Sequence, residues 1–165
     1  MGNIKEIYLA GGCFWGVEGY FIKKPFIIDT TVGYANSYVD DPGYKLVCTG
    51  STNATEAVEL EYEGELDAVL ETLFHIIDPT LLNRQGNDRG SQYRTGIYYQ
   101  TEQEKAAIEA YIDSIRSNYA KPVVTEVKKL ENYILGEEYH QDYGSLKNTT
   151  KTTWLKIRVD TVISI

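Results

Sequence analysis

Apolar positions along the chain fall into short alternating runs and a few longer stripes at helical spacing, a mixture that predicts helices and strands together. Residues 4–10 alternate loosely and predict a strand. Val17, Tyr20 and Phe21 repeat at helical spacing over 14–22, and Lys23-Lys24-Pro25 ends that helix. Residues 26–34, rich in β-branched and aromatic side chains, predict a second strand. Val58, Leu60 and Tyr62 then alternate with Glu59, Glu61 and Glu63, a strand with one wet face. That alternation points to an antiparallel or mixed sheet, because a fully buried parallel strand would be apolar throughout.

Asp67 opens a helix whose Val69, Leu70, Leu73, Phe74 and Ile77 form one stripe, stopped by Asp78-Pro79. Residues 79–95 have no period, and an aperiodic segment of that length in a small domain predicts an ordered functional loop. Gly96 to Tyr99 predicts a strand, and Thr101-Glu102-Gln103-Glu104 has the spacing of a capping box. Ile108, Tyr111, Ile112, Ile115 and Tyr119 follow as the strongest helical stripe, and Val123 to Leu130 is β-prone. Leu135 to Tyr143 is polar and aromatic, and the tail over 144–165 is rich in Thr and Lys. No repeat or linker interrupts the chain, so one α+β domain over 1–165 is expected.

Composition narrows the possible partners. A net charge of −8 argues against nucleic acid or an anionic membrane as the main partner. No apolar run approaches the roughly 20 residues of a membrane span. Met1 to Glu6 lacks the apolar core of a signal peptide, so the expected location is the cytoplasm. Cys13, Cys48, His75 and His140 show no metal-ligand spacing, and no metal is expected. The 14 tyrosines suit a pocket with a polar floor, because each buried hydroxyl needs a partner.

The chemistry centres on Gly11-Gly12-Cys13-Phe14-Trp15-Gly16, at the junction of a predicted strand and helix. Backbone N–H groups at a helix start favour an anion, so the position predicts an eased thiolate and a nucleophilic Cys13. A thiolate is soft, and its natural targets are sulfur, peroxide oxygen or an activated carbonyl. His75 falls inside a helix and reads as structural, and His140 as a buried, hydrogen-bonded residue. Among the carboxylates, Glu56 before the alternating strand and Asp88 in the aperiodic loop are the candidates for delivering a proton.

Several strings together give a resemblance. Gly12-Cys13-Phe14-Trp15-Gly16-Val17-Glu18, Gly33-Tyr34-Ala35, Tyr44 through Gly50, Asn83-Arg84-Gln85-Gly86-Asn87-Asp88, Gln92-Tyr93-Arg94 and Glu138-Tyr139-His140-Gln141 resemble the methionine sulfoxide reductase A family, in order, over roughly 4–143. The resemblance implies an α+β two-layer sandwich with a mixed, mainly antiparallel sheet and a ferredoxin-like core. It implies reduction of methionine-S-sulfoxide, free or in proteins, with Cys13 attacking sulfur and becoming a sulfenic acid. Phe14 and Trp15 would hold the substrate methyl group, Tyr44 and Tyr93 would hydrogen-bond the oxygen, Glu56 would protonate it, and Asp88 would support the site.

The chain departs from the family in two places. Asn53-Ala54-Thr55-Glu56 stands where Gly-His-Ala-Glu is usual, and the tail lacks cysteine. Resetting Cys13 then falls to Cys48 or to an external thiol, and the external one is favoured: thioredoxin, glutaredoxin or a small thiol. No bound cofactor is implied, and a monomer is expected. The alternatives are a thiol peroxidase and a relative that binds methionine sulfoxide without reducing it.

Overall fold

The computed structural model describes residues 4–38, 47 and 52–137. The elements are β1 (Lys5–Gly11), α1 (Phe14–Phe21), β2 (Ile27–Ala35), β3 (Thr55–Tyr62), α2 (Leu66–Ile76), β4 (Arg84–Gln85), β5 (Asp88–Arg89), β6 (Thr95–Tyr99), α3 (Glu102–Ile115), β7 (Glu126–Lys129) and β8 (Tyr133–Leu135), with 3-10 turns at Ser91–Tyr93 and Arg116–Asn118. Six strands form one sheet in the order β7-β6-β1-β3-β2-β8. Among the described residues only the β6–β7 pair is parallel, so the sheet is mixed and mainly antiparallel, and the α+β class read from the sequence holds. No helix among the described residues is long and apolar enough to cross a membrane.

One face of the sheet carries the main core. Ile7 and Leu9 of β1, Val58 and Leu60 of β3 and Ile97 of β6 pack with Val17 and Phe21 of α1, Leu70 and Leu73 of α2, and Ile108 and Ile112 of α3. The predicted α2 stripe is buried at Val69, Leu70, Leu73, Phe74 and Ile77. Truncating such a leucine to alanine typically costs about 2–5 kcal/mol. The predicted capping box is formed: Glu104 N–H donates to Thr101 Oγ1 at 3.1 Å, and Thr101 N–H donates to Glu104 Oε1 at 3.2 Å.

The other face departs from expectation. Tyr8, Ala10, Ala35, Ala57 and Tyr98 form a second apolar cluster, with Leu130 and Tyr133 packed on it. Glu59, read as facing water, lies under this cover: its Oε2 is 3.0 Å from the Tyr8 hydroxyl, and its Oε1 accepts from Thr31 Oγ1 at 2.9 Å. The Tyr8 and Tyr133 rings sit 5.0 Å apart, and Gly33 leaves the room, since a Cβ there would lie 2.7 Å from Tyr133 Cζ. Within this packed second face, the Tyr8 hydroxyl meets Glu59 and the Thr31 hydroxyl pairs with that of Tyr133 at 2.8 Å. Period alone could not show this, because the covering strand starts at Tyr133, 74 residues after Glu59, and was not legible as a strand.

The aperiodic segment 79–95 is ordered, as expected of a functional loop. Its β4–β5 hairpin pairs Arg84 with Arg89 and Gln85 with Asp88, and Gly86 at φ 57° makes the turn. Gln85 fastens the hairpin to the end of α2, its Oε1 accepting from Asp78 N–H at 2.9 Å and its Nε2 donating to Asp78 O at 2.7 Å.

Candidate active site

Cys13 caps the N-terminus of α1 just beyond the end of β1, where the sequence placed it. Gly12 makes the turn at φ 93°, a conformation that residues with a Cβ rarely adopt. A Cβ there would also lie 2.7 Å from Gln85 Cβ, so Gly12 lets the β4–β5 hairpin close over the junction. That contact brings Asp88 within electrostatic range of Cys13.

The eased thiolate is not what the structure gives. Burial pushes the Cys13 thiol above its ordinary value, and the charges of Glu56 and Asp88 push the same way. The N–H groups of Trp15 and Gly16 pull it down, as the helix start predicts, but they do not win. An eight-residue helix beneath a partly buried sulfur offers less than desolvation removes.

Glu56 is the second member of the site. It is the second residue of β3, opposite Tyr34 on β2, and only 1% of its surface is exposed. Its Oε1 accepts from Phe14 N–H at 3.2 Å, which ties the carboxyl to the residue after Cys13. Oε2 is buried and has no hydrogen-bond partner among the described residues. Burial raises the Glu56 pKa to about 7; the Phe14 N–H opposes the rise, and Asp88 and Glu137 add to it. Ala54 occupies the position of the family's usual histidine and is buried in the main core, so its side chain brings no polar group to Glu56.

The flanking aromatics define the surroundings. The Phe14 ring lies 6.1 Å from Trp15 and 5.7 Å from Tyr34, and the Tyr34 hydroxyl donates to Glu137 Oε2 at 2.9 Å. Neither Tyr34 nor Glu137 was assigned a role from the sequence; the Gly33-Tyr34-Ala35 string was the signal for Tyr34, and Glu137 had none. Tyr93 is half-buried at the end of the Ser91–Tyr93 turn, and Asp88 is exposed on β5. His75 is exposed on α2, with its ring 6.2 Å from Tyr20. A cleft of about 270 Å³, lined by Gly11, Cys13, Gly16, Val17, Tyr20 and Ile76, leaves Cys13 open on the α2 side of α1. Tyr44, Cys48, His140 and the tail over 144–165 lie outside the described residues. Among those described, no three His, Cys, Asp or Glu side chains gather as a metal site.

A partly buried thiol beside a carboxyl that burial raises to about 7 makes this corner the candidate active site. The family model described as peptide methionine sulfoxide reductase matches residues 5–162. Peptide methionine sulfoxide reductase MsrA of Mycoplasma genitalium is 53% identical over 143 residues, covering 85% of this chain and 91% of that one. Among solved structures, reduced Mxr1 from Saccharomyces cerevisiae superposes with a TM-score of 0.82 at 34% identity, covering 88% of this chain and 86% of that one. Methionine sulfoxide reductase A of Corynebacterium diphtheriae gives 0.82 at 32% identity, with 88% and 76% covered. Mxr1 has also been solved in complex with Trx2. The chain belongs to the peptide methionine sulfoxide reductase family. It is an oxidoreductase, and the reaction is reduction of methionine sulfoxide.

Proposed function

We propose that the chain, as one catalytic domain, reduces the S epimer of methionine sulfoxide, free or in oxidised proteins, with Cys13 as nucleophile and Glu56 as proton carrier. The observation that carries this is the Glu56 carboxyl: one oxygen held by the Phe14 N–H, the other buried without a partner among the described residues. A buried acceptor left open next to a thiol is costly unless a reacting group completes it.

The thiol and the carboxyl share a proton. Burial raises both groups, so above about pH 7 the prevailing state is a Cys13 thiol beside a Glu56 carboxylate. Glu56 takes the thiol proton as the sulfur attacks the sulfoxide sulfur, and passes it to the oxide as the S–O bond breaks. The departing hydroxide then bonds to Cys13 Sγ and breaks the bond between Sγ and the substrate sulfur, so methionine leaves, Cys13 becomes a sulfenic acid, and the step consumes no net proton. Phe14 and Trp15 line the substrate methyl group, Tyr44 and Tyr93 donate to the oxygen, and Asp88 supports the site, its charge adding to the burial that holds the carboxyl near 7. An external dithiol of the thioredoxin class resets the site in the cytoplasm: one thiol condenses with the sulfenic acid and releases water, and the second displaces Cys13 from the mixed disulfide. Cys48 is not needed for this route, and a monomer suffices.

Epimer-resolved turnover with dithiothreitol tests the assignment. Methionine-S-sulfoxide is consumed to completion while the R epimer persists. Equal loss of the two, or loss of neither, contradicts it.

A further inference from the structure

The substrate oxygen must meet a proton carrier at the start of β3 and a hydroxyl in the Ser91–Tyr93 turn, two segments nearly 40 residues apart. We propose that Thr55 and Arg94 are positioning residues, a clasp that fastens the Ser91–Tyr93 turn to the start of β3 so that Tyr93 and Glu56 face the substrate as one rigid unit. The inference rests on the proposed roles of Glu56 and Tyr93.

Arg94 spans three segments with its three nitrogens. Nη1 donates to Ser91 O at 2.8 Å, Nη2 donates to Asn53 O at 2.8 Å, and Nε donates to Glu126 Oε2 at 3.0 Å on β7. Both members of the ion pair are well covered, with side-chain exposures of 12% and 18%. Glu126 is itself anchored by the Tyr98 hydroxyl, which donates to its Oε2 at 2.6 Å. A planar guanidinium fixes two carbonyls and a carboxylate at set angles, and an ammonium cannot.

Thr55 closes the clasp from the other side. Its Oγ1 donates to Gln92 O at 3.1 Å, with Arg94 O at 3.4 Å. Thr55 precedes Glu56, and Gln92 precedes Tyr93, so the bond joins the neighbours of the two reacting groups. The turn it grips is conformationally demanding. Asn53 sits at φ 59° and Gly90 at φ 134°, and neither end holds its place through ordinary extended backbone. The Ala54 side chain contributes apolar packing and its N–H donates to Thr52 Oγ1 at 3.2 Å, so in this chain the clasp supplies the side-chain polar support that ties this segment to the Ser91–Tyr93 turn.

Thr55→Val removes the hydroxyl and keeps the shape, and Thr55→Ser keeps the hydroxyl. Arg94→Lys keeps a cation beside Glu126 and loses the fork. Misplacement by an ångström can cost on the order of 100-fold, so kcat is expected to fall about 10- to 100-fold in Thr55→Val and Arg94→Lys and to be restored in Thr55→Ser. The acidic limb of kcat/KM also moves to lower pH in both damaged variants, because a loosened β3 start admits water to Glu56. A purely structural role would lower melting temperature and leave that limb in place. Arg94→Lys carries the test if Thr55→Val does not fold. Unchanged kcat, an unmoved limb, or a Thr55→Ser variant as poor as Thr55→Val overturns the proposal. Failure of the underlying reading is separable: Glu56→Gln at full activity removes the proton carrier, whereas a dead Glu56→Gln with normal Thr55→Val and Arg94→Lys removes the clasp alone.

Discussion

Cys13→Ser reduces methionine sulfoxide at least about 1000-fold more slowly than the parent while folding normally, as steady-state consumption of the S epimer will show. The substitution removes one sulfur from a half-exposed position, so the fold has little to lose. The chemistry loses its soft nucleophile, since a serine hydroxyl is ionised far less readily and attacks sulfur poorly. Full turnover by the variant would move the reaction away from this corner of the fold.

Glu56→Gln has the second largest effect, and it acts in two directions. Activity falls by about 100- to 10,000-fold, the range of a lost acid–base group. The amide still accepts from the Phe14 N–H but neither takes the thiol proton nor returns it to the oxide. In the parent, kcat/KM rises with an apparent pKa of about 7 as Glu56 ionises, and it holds until the raised thiol of Cys13 itself titrates. Besides burial, three groups act on this carboxyl: the Phe14 N–H lowers it, and Asp88 on β5 and Glu137 after β8 raise it. In Glu56→Gln the limb near 7 disappears, and the residual rate climbs with formation of the free thiolate.

The same substitution stabilises the protein at neutral pH. Glu56 has an ordinary value of 4.5 and is raised to about 7 when folded. Between these values the folded chain keeps a proton that the unfolded chain has released, so stability falls as pH rises through the window. Below about 4.5 both states are protonated and there is no penalty. Above about 7 the full penalty stands, on the order of 3 kcal/mol for a gap of that size. Denaturant unfolding at pH 8 is expected to show Glu56→Gln more stable than the parent, with the gap closing towards pH 4. An equal gap at both values would contradict the buried, raised carboxyl.

What was legible in the chain was what depends on nearby residues. The α2 stripe, the Thr101 capping box and the position of Cys13 each follow from a few adjacent side chains. What escaped depends on distant ones. The thiol of Cys13 is governed by burial under elements from across the chain, and it overrides the local helix start. Tyr133–Leu135, only three residues long, carries no period of its own; it is a strand because β2 offers an edge, with Gly33 opposite Leu135 and Ala35 opposite Tyr133. Asn83 to Asp88 could be recognised as functional, but its role as a hairpin held against Gly12 by Gln85 needed the fold.

A single turnover without reductant tests the central claim most directly. The reduced protein is mixed with excess methionine-S-sulfoxide, released methionine is counted, and the Cys13 peptide is weighed. The account predicts one methionine per chain and one added oxygen on Cys13. Sulfoxide recovered unchanged from the protein, or methionine released with Cys13 still reduced, would contradict it.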